Sequence, residues 1–312
     1  MQKKILAIQG SSLKSINIET DTTLFLALEA QKRGYQIYYY EPQNLSFIDG
    51  RVTVKCFQLT FLEGTKKFYQ ITKRLNFDLS KAKVLLIRNE PPFNQQYINT
   101  TFILEHISKK VKIINHPKAI REVPEKLFSI QLIKYMPSTL ISENIDEIKI
   151  FFKRHKKVII KPINGYSGNE VILLKSFNSK IISKYLEKHN HIIFQKFLPK
   201  ISEGDRRVFI IDGKIKGSIS RVPKQNSILS NMSKGAIAKI DQLTSKEIKI
   251  SKEVAILLKK NNIYFAGVDF VQDQLIGDIN VTSPTGLATH YSLTGINLAK
   301  FFGIIFNHDF KL

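Results

Sequence analysis

The sequence contains very little cysteine and no long apolar run. Its 312 residues include a single cysteine, Cys56, which excludes an internal disulfide and a cysteine-rich zinc site. A reducing cytoplasm is the simplest setting for such a chain. No apolar run reaches the roughly 18 residues of a membrane-spanning helix, and the apolar part of residues 1–8 is too short for a signal peptide. We therefore interpret residues 5–8 as a buried β-strand and expect no membrane partner.

Acidic residues are also scarce, with 26 Asp and Glu against 48 Lys and Arg, so the formal net charge is +22. A charge of this size is compatible with nucleic-acid binding. The cations are mostly lysines spread along the chain, whereas proteins that read bases and phosphates tend to concentrate arginine. The composition therefore disfavours a nucleic-acid partner. A lysine bias across the whole organism would account for the charge equally well, and either origin would mildly favour an anionic substrate.

The first part of the sequence alternates between short apolar strands and an amphipathic helix. Hydrophobic residues make up 43% of the chain and charged residues 24%, which is ordinary globular composition at a length that allows two or three domains. A helix is predicted over 20–33, with Asp21 as its N-cap and Gly34 just after its end. Strands are predicted at 5–8, 36–40, 84–87 and 112–115. This order indicates a parallel sheet that binds ligands at the carboxyl ends of its strands.

After Pro117 the pattern changes to short strands joined by tight turns. Helices are predicted over 125–134 and 245–261, and strands at 158–161, 171–174, 192–197, 207–211 and 215–220. The dipeptide Asp212-Gly213 is typical of a hairpin turn, so the sheets of this part are expected to be largely antiparallel. The chain as a whole is therefore assigned to the α/β class, with an α+β second half.

Three oxygen-bearing side chains follow one another on two predicted strands near the C-terminus. Asp269 lies on the first strand, and Asp278 and Asn280 alternate on the second, where side chains two apart share a face. A hairpin turn at 272–274 would fold Asp269 back beside them. Hard oxygen ligands of this kind suit Mg²⁺, which fills the rest of its octahedron with water and phosphate. The alternative is a turn stabilised by Asx hydrogen bonds.

Cationic side chains accompany this cluster. Lys161 ends a strand just before a loop that contains Gly165 and Gly168, and a lysine there can reach phosphates bound by the loop's backbone amides. The alternative is a surface lysine beside an ordinary turn, since the loop is not a Walker A sequence. Arg207 and Arg221 occupy corresponding ends of adjacent strands, where they could hold a phosphate or carboxylate together. Exposed strand arginines are the alternative for this pair.

In their order and spacing, the motifs of nearly the whole chain resemble those of the bacterial glutathione synthetases, a family of the ATP-grasp superfamily. Each motif is weak alone, and the order makes the resemblance specific. The motifs that carry it are Ile16-Asn17-Ile18, Leu28-Glu29-Ala30-Gln31-Lys32-Arg33-Gly34-Tyr35, Arg88 with Pro91-Pro92-Phe93, Ile114-Asn115-His116-Pro117, Glu125-Lys126-Leu127-Phe128, Ile160-Lys161-Pro162, Gly204-Asp205-Arg206-Arg207-Val208, Ser220-Arg221-Val222-Pro223, Gly267-Val268-Asp269 and Ile279-Asn280-Val281-Thr282-Ser283-Pro284-Thr285.

The resemblance implies an ATP-grasp fold with three parts. Residues 1–118 would form a parallel-sheet substrate domain, 119–199 a central lid subdomain, and 200–312 a C-terminal subdomain with the metal site, the last two having mixed or antiparallel sheets. It also implies amide formation through an acyl phosphate, with ATP as co-substrate and Mg²⁺ or Mn²⁺ as cofactor. In the family the acid is γ-glutamylcysteine, the amine is glycine and the product is glutathione. The family is commonly oligomeric, so a homo-oligomer is expected.

The resemblance further implies a role for each matching position. Arg207 and Arg221 would neutralise the transferred phosphate as the catalytic pair, and Asp269, Asp278 and Asn280 would hold the metal. Nucleotide contacts would come from Lys126, Lys161, the lid loop Gly165, Tyr166, Ser167 and Gly168, the adenine hinge Gln195, Lys196, Phe197 and Leu198, and the ribose ligand Asp205. The acid and the amine would be bound by Arg88, Asn115, Asn231, Ser283, Pro284 and Thr285.

The sequence departs from the family pattern in four places. Ser167 replaces a glycine of the lid loop, Asp278 replaces a glutamate that is one methylene longer, and Ile237 stands where the family has an arginine. The stretch 286–290, Gly-Leu-Ala-Thr-His, replaces a charged segment. The nucleotide part of the pattern is thus better preserved than the acceptor part. Two alternatives therefore remain: an ATP-grasp ligase with another acid and amine, and a nucleotide-binding regulatory protein without turnover.

Overall fold

The computed structural model describes residues 4–64, 67–225 and 227–307, whose strands form three sheets of seven, four and five strands. Each sheet is built from a successive part of the chain. None of the helices in these residues is long and apolar enough to cross a membrane.

The first sheet has a parallel centre, as the alternation of strand and helix predicts. Its central strands run in the order β2-β1-β6-β7. Beyond β2 the sheet continues through antiparallel β4, which pairs with β3 and β5. The sequence patterns do not predict this antiparallel extension. The strands are β1 (Ile5–Gly10), β2 (Gln36–Tyr40), β3 (Leu45–Ile48), β4 (Arg51–Phe61), β5 (Tyr69–Asp78), β6 (Val84–Arg88) and β7 (Lys112–Ile114).

Helices α1 (Thr22–Lys32), α2 (Gln95–Glu105) and α3 (Pro117–Glu122) accompany this sheet. Asp21 caps α1 as predicted, because its Oδ1 accepts from the Leu24 N–H at 2.6 Å. One face of β1 packs in a buried cluster with residues from the C-terminal part of the chain, among them Leu298 and Phe302. The C-terminal segment therefore returns to the first sheet and closes the fold.

The second sheet is antiparallel, in the order β10-β9-β11-β8. Helices α4 (Ile145–Arg154) and α5 (Ser179–His189) contribute Ile148, Phe152 and Ile182 to its apolar core. The spacing of these apolar residues gives each helix one buried stripe. The strands are β8 (Thr139–Ser142), β9 (Val158–Pro162), β10 (Ile172–Leu174) and β11 (Ile192–Lys196).

The third sheet is also antiparallel, in the order β14-β13-β12-β15-β16. Helix α6 (Ser245–Lys260) packs against it, and Phe128 and Leu132 join the same core. The helix predicted over 125–134 is a 3₁₀ helix, Phe128–Tyr135, interrupted at Leu132. The strands are β12 (Asp205–Ile211), β13 (Lys214–Val222), β14 (Ile237–Lys239), β15 (Phe265–Val271) and β16 (Gln274–Asn280), and the last helices are α7 (Leu287–Thr294) and α8 (Gly303–Asn307).

Candidate active site

The second and third sheets border a cleft of about 530 Å³, and the loop after β1 together with residues 282–289 closes one end of it. The cleft wall contains all the predicted site residues except Arg88 and Asn115. Those that line it are Lys126, Lys161, Gly165, Tyr166, Ser167, Gly168, Gln195, Lys196, Phe197, Leu198, Asp205, Arg207, Arg221, Asn231, Asp269, Asp278, Asn280, Ser283, Pro284 and Thr285.

Residues 195–198 comprise the end of β11 and its connection to the following 3₁₀ turn. Gln195 is buried and its amide donates to Thr139 Oγ1 at 2.9 Å, which fixes the end of the strand. The backbone N–H groups of Lys196 and Phe197 donate to carbonyl groups within the protein. Among the described residues, the Leu198 N–H has no acceptor. A backbone donor in this position suits the edge of a purine ring.

Two lysines meet one carboxylate beside the glycine loop. Lys161 is buried at the end of β9, where its Nζ donates to the Ile276 carbonyl at 2.7 Å and lies 3.5 Å from Asp278 Oδ2. Lys126 donates to the Gly165 carbonyl and lies 3.8 Å from Asp278 Oδ1. Burial lowers the pKa of Lys161, although Asp278 opposes the shift. Both ammonium groups therefore lie beside the glycine loop and share Asp278 as their counter-ion.

Strand pairing brings the two arginines to the same carboxylate. Arg207 lies opposite Asp269 on the neighbouring strand and forms a bidentate pair with it, at 2.8 and 2.7 Å. Arg221 lies opposite Asp205, pairs with it through two nitrogens, and reaches Asp269 at 3.1 Å. Ser230 adds a hydroxyl hydrogen bond to Asp205. These contacts form one continuous network of charges in the cleft wall.

Burial and neighbouring charges shift the pKa values of this network in opposite directions. For Asp269, burial alone would raise the pKa, but Arg207 and Arg221 outweigh it and lower the pKa to about 2. For Asp205, burial prevails over Arg221, so the pKa is raised. Arg221 is buried as well, yet its two carboxylate partners raise its pKa. Asp269 and Arg221 are therefore both charged in the folded protein near neutral pH.

The three predicted metal ligands lie on one wall of the cleft. Asp278 and Asn280 share a face of β16, as predicted, and Asn280 Nδ2 donates to Asp269 Oδ2 at 3.2 Å. The pairing of β15 with β16 shifts opposite Asp269, and Gly277 in this bulge has a φ of +90°. Asp278 follows Gly277 directly, and its two oxygens lie 3.8 Å from Lys126 Nζ and 3.5 Å from Lys161 Nζ.

This donor set fits a small divalent cation. Two carboxylates and an amide oxygen are hard ligands, and Mg²⁺ takes few of them from protein. No group of three or more His, Cys, Asp or Glu side chains in the described ranges is arranged to hold a metal ion. The trio offers three oxygen-bearing side chains, fewer than the six ligands of an octahedral Mg²⁺ shell.

Two loops from different sheets touch above these residues. A Cβ atom added to Gly168, whose φ is +69°, would lie 2.5 Å from Asn231 Oδ1. Glycine suits this position because it adopts the left-handed backbone without strain, and any larger residue would also have to push the Asn231 amide aside. The contact joins the loop 165–168 to the loop that carries Ser230 and Asn231, so the two loops cover the cleft together.

The other end of the cleft is formed by the segment after β16. Ser283 Oγ donates to the Arg88 carbonyl at 3.2 Å, and Arg207 donates to Thr285 Oγ1 at 3.2 Å. Asp21 and Glu90 from the first sheet's loops also line this end, although the sequence motifs do not single them out. Ile237, the departure from the family's arginine, lies on exposed β14 outside the cleft wall.

Two predicted substrate residues lie behind the wall. Asn115 is buried, and its amide donates to the carbonyls of Phe265 and Val281 and accepts from the N–H groups of Tyr264 and Phe265. These four bonds use both the donors and the acceptor of the Asn115 amide, so none is left for a substrate. Asn115 therefore has a structural role, contrary to the expectation from the motif. Arg88 is buried outside the cleft wall, where its Nε donates to Thr23 and its Nη1 has no described partner.

The sequence motifs also do not assign a role to Glu125, which lines the cleft. Its Oε1 accepts three hydrogen bonds, from the Val281 N–H at 2.8 Å, the Thr282 N–H at 3.0 Å and the Thr282 hydroxyl at 2.8 Å. The only signal for it in the sequence is its position next to Lys126. The donors lie more than 150 residues later in the chain, so only the folded structure brings them together.

Comparisons with known proteins agree with this architecture. Residues 5–121 match the family described as prokaryotic glutathione synthetase, N-terminal domain, and residues 125–294 match prokaryotic glutathione synthetase, ATP-grasp domain. The chain is 33% identical over 302 residues to the glutathione synthetase of Mesorhizobium japonicum, covering 95% of this chain and 96% of the relative. It is 32% identical to the enzyme of Escherichia coli O127:H6 over 286 residues, with 90% of each chain covered.

Solved structures of the same fold are more distant in sequence. D-cycloserine synthetase DcsG superimposes with a TM-score of 0.68 at 13% identity, covering 96% of this chain and 98% of its own. D-alanyl-alanine synthetase A from Vibrio cholerae gives a TM-score of 0.63 at 13% identity, with 98% of each chain covered. At this identity the likeness concerns the fold alone.

Proposed function

The chain belongs to the prokaryotic glutathione synthetase family and is an ATP-dependent C–N ligase of the ATP-grasp fold, and from this premise we propose that it joins γ-glutamylcysteine to glycine. The observation that carries the proposal is the single cleft in which two lysines, two arginines and the Asp269, Asp278 and Asn280 trio converge. Conversion of ATP to ADP and phosphate, by transfer of the γ-phosphoryl group to the acid, would drive the synthesis of glutathione.

ATP would bind between the second and third sheets. The Leu198 N–H and the neighbouring carbonyls would hold the adenine, and Asp205 would face the ribose. Lys126 and Lys161 would contact the phosphates beneath the loop 165–168. The two lysines would exchange the Asp278 carboxylate for phosphate oxygens, with which they can form charge-assisted hydrogen bonds.

Asp269, Asp278 and Asn280 would hold Mg²⁺ or Mn²⁺ together with the phosphates. When bound, the ion would supply positive charge at the phosphate oxygens during transfer. The protein's own residues would do the rest, because Arg207 and Arg221 are held in place by strand pairing and so need little reorganisation.

The reaction needs positioning and charge neutralisation more than an acid or a base. A carboxylate oxygen of the acid would attack the γ-phosphorus, the bond to the β-phosphate oxygen would break, and ADP would leave. The amine nitrogen would then attack the acyl carbon, and inorganic phosphate would leave as the amide forms and the nitrogen loses a proton. The loops joined at Gly168 and Asn231 would exclude water, which would otherwise hydrolyse the acyl phosphate.

The three parts of the chain would divide these tasks. We assign residues 1–118 to substrate binding, 119–199 to the lid, and 200–312 to the metal site and the arginines. The cytoplasm would be the site of the reaction, and a homo-oligomer would be its form. The acid and the amine would lie at the end of the cleft formed by Ser283, Pro284, Thr285 and Asn231.

An ADP-release assay tests the proposed function. Purified protein would be incubated with ATP, Mg²⁺, γ-glutamylcysteine and glycine, and each substrate would be omitted in turn. ADP release that requires both substrates, together with glutathione detected by mass spectrometry, is the expected result. Release that requires a different acid or amine would contradict the substrate pair but keep the ligase. ATP binding without turnover on any pair would contradict catalysis.

A further inference from the structure

We propose that Glu125 is a positioning residue that fixes the substrate-binding segment 281–285 relative to the phosphate-binding Lys126. The proposal rests on the proposed function, because it assigns a task within the same site. Glu125 is part of the cleft wall. Its carboxylate is negative, so it has no place among the lysines and arginines that would neutralise phosphate.

The backbone of Glu125 is joined to the metal-ligand strand. Its carbonyl accepts from the Ile279 N–H at 3.0 Å. Ile279 lies between Asp278 and Asn280 in the chain, so this bond helps to fix the position of both side chains in the cleft wall. Because Lys126 follows Glu125 directly, the lysine that contacts Gly165 and the strand that carries the metal ligands are held as one unit.

The side chain of Glu125 is joined to the segment that follows this strand. A single oxygen, Oε1, takes all three donors from Val281 and Thr282. The chain leaves β16 at Asn280 and bends there toward Ser283. Glu125 thus replaces the strand partners that Val281 and Thr282 no longer have.

Loss of this oxygen would leave buried donors without a partner. Val281 and Thr282 are both buried, and an unsatisfied buried N–H is costly enough to move the backbone toward another acceptor. A displacement of about 1 Å at a reacting group can reduce a rate by about 10²-fold. The segment that would shift carries Ser283 and Thr285, so the effect should fall on the acid and the amine rather than on ATP.

Two substitutions of Glu125 distinguish the effect of its hydrogen bonds on the position of segment 281–285 from the effect of its negative charge. Glu125→Gln keeps a carbonyl oxygen for the three donors and removes the negative charge, whereas Glu125→Ala removes the acceptor. We expect Glu125→Gln to stay within about threefold of wild type. Glu125→Ala should raise KM for the acid or the amine by about tenfold and leave KM for ATP within about twofold, on the scale of a lost hydrogen-bonded contact.

Glu29→Ala is the matched control. Glu29 also joins distant segments, because it accepts from Asn297 as well as from its neighbour Arg33, but it lies outside the cleft wall. This variant should lower the melting temperature without changing any KM. Equal losses in Glu125→Gln and Glu125→Ala would overturn the proposal, because charge rather than position would then matter. A Glu125→Ala variant whose kinetic pattern equals that of Glu29→Ala would overturn it as well.

Hydrogen exchange provides a readout that does not depend on turnover. Peptides covering 279–286 should lose amide protection in Glu125→Ala and keep it in Glu125→Gln. Unchanged protection in Glu125→Ala would contradict the positioning role even in an active enzyme. If wild type joined no acid to an amine but protection followed this pattern, the proposed function would fail and the positioning role would stand.

Discussion

Arg207 and Asp269 occupy opposite positions on neighbouring antiparallel strands and meet in a bidentate pair with N–O distances of 2.8 and 2.7 Å. The second arginine, Arg221, lies 3.1 Å from the same carboxylate. Strand pairing, rather than a mobile loop, thus sets the positions of both guanidinium groups. Charges held by a rigid sheet can stabilise a developing phosphate charge with little reorganisation.

Asp269→Asn should nearly abolish turnover. The amide keeps the shape of the side chain but removes a proposed metal ligand and the counter-charge of two buried arginines. We expect kcat to fall by about 10³-fold, at the upper end of the effect of removing one preorganised group. Steady-state ADP release measured over a range of Mg²⁺ concentrations would provide the test.

The control for this variant is Asp241→Asn, which removes an exposed partner of Arg206 away from the cleft. It should retain wild-type kcat. If Asp269→Asn kept more than a tenth of wild-type activity, the assignment of Asp269, Asp278 and Asn280 to the metal site would be wrong.

Acidification should remove the stability that Asp269 contributes. Its pKa of about 2 in the folded protein lies below the value of about 4 expected in an unfolded chain. The contribution is therefore complete above about pH 4 and is lost as the pH falls toward 2. The shift corresponds to about 2 kcal/mol of unfolding free energy, so the difference between wild type and Asp269→Asn should shrink over this window.

Urea unfolding between pH 6 and pH 3 would measure this difference. Asp205 serves as a control of opposite sign, because burial raises its pKa and its protonation favours the folded state. The cost of Asp205→Asn should therefore not follow the trend of Asp269→Asn. A difference between wild type and Asp269→Asn that stays constant across the range would contradict the predicted linkage.

Gly168→Ala should impair closure of the cleft. The added Cβ would meet Asn231 Oδ1 at 2.5 Å, at a φ of +69°. We expect KM for ATP to rise by about tenfold, with kcat lowered as well, since the loops could no longer approach. The measurement is the initial rate of ADP release as a function of ATP concentration.

Gly295→Ala separates the two causes of this effect. Gly295 has a φ of +71°, but no atom lies within 4 Å of its added Cβ. The Gly295→Ala variant should therefore show the effect of backbone strain alone, as a lower free energy of unfolding with an unchanged KM for ATP. The double variant Gly168→Ala, Asn231→Ala should recover part of the lost ATP affinity, and failure to recover any would argue against steric contact as the cause.

Asn115→Ala should act on stability and not on substrate binding. Four backbone groups of Phe265, Tyr264 and Val281 would lose their partner. We expect the unfolding free energy to fall by about 3 kcal/mol, as for other losses of a buried hydrogen-bond network. Chemical denaturation would measure this loss, and KM for the acid and the amine would be measured in the folded variant below its melting temperature. A large rise in either KM with little loss of stability would restore the expected substrate contact.

The parallel centre of the first sheet could be predicted from the sequence because its strands are short, apolar and separated by a capped helix. The antiparallel extension could not. Most side chains of β5 are exposed, and the strand contains lysine and arginine, so neither an apolar run nor a clean alternation marks it. Its place in the sheet depends on pairing with β4 rather than on its own composition.

The same distinction holds in the cleft. The shared face of Asp278 and Asn280 follows from strand periodicity, and their proximity to Asp269 follows from the hairpin. The identity of each partner does not, because Asn115 bonds to groups 150 and more residues away. The motif marks Asn115 as important, but only the long-range contacts reveal that its amide is already fully used.

The network of Arg207, Arg221, Lys126 and Lys161 with three carboxylates also bears on the order of assembly. The two arginines pair with Asp269 and Asp205 and the two lysines share Asp278, so a bare metal ion would have to displace arginines and a bare phosphate would have to displace carboxylates. Either exchange would leave buried charges unpaired, which is costly. A ligand that brings both signs at once can exchange partners without that cost. We therefore expect the nucleotide and its metal to enter as one complex rather than one after the other.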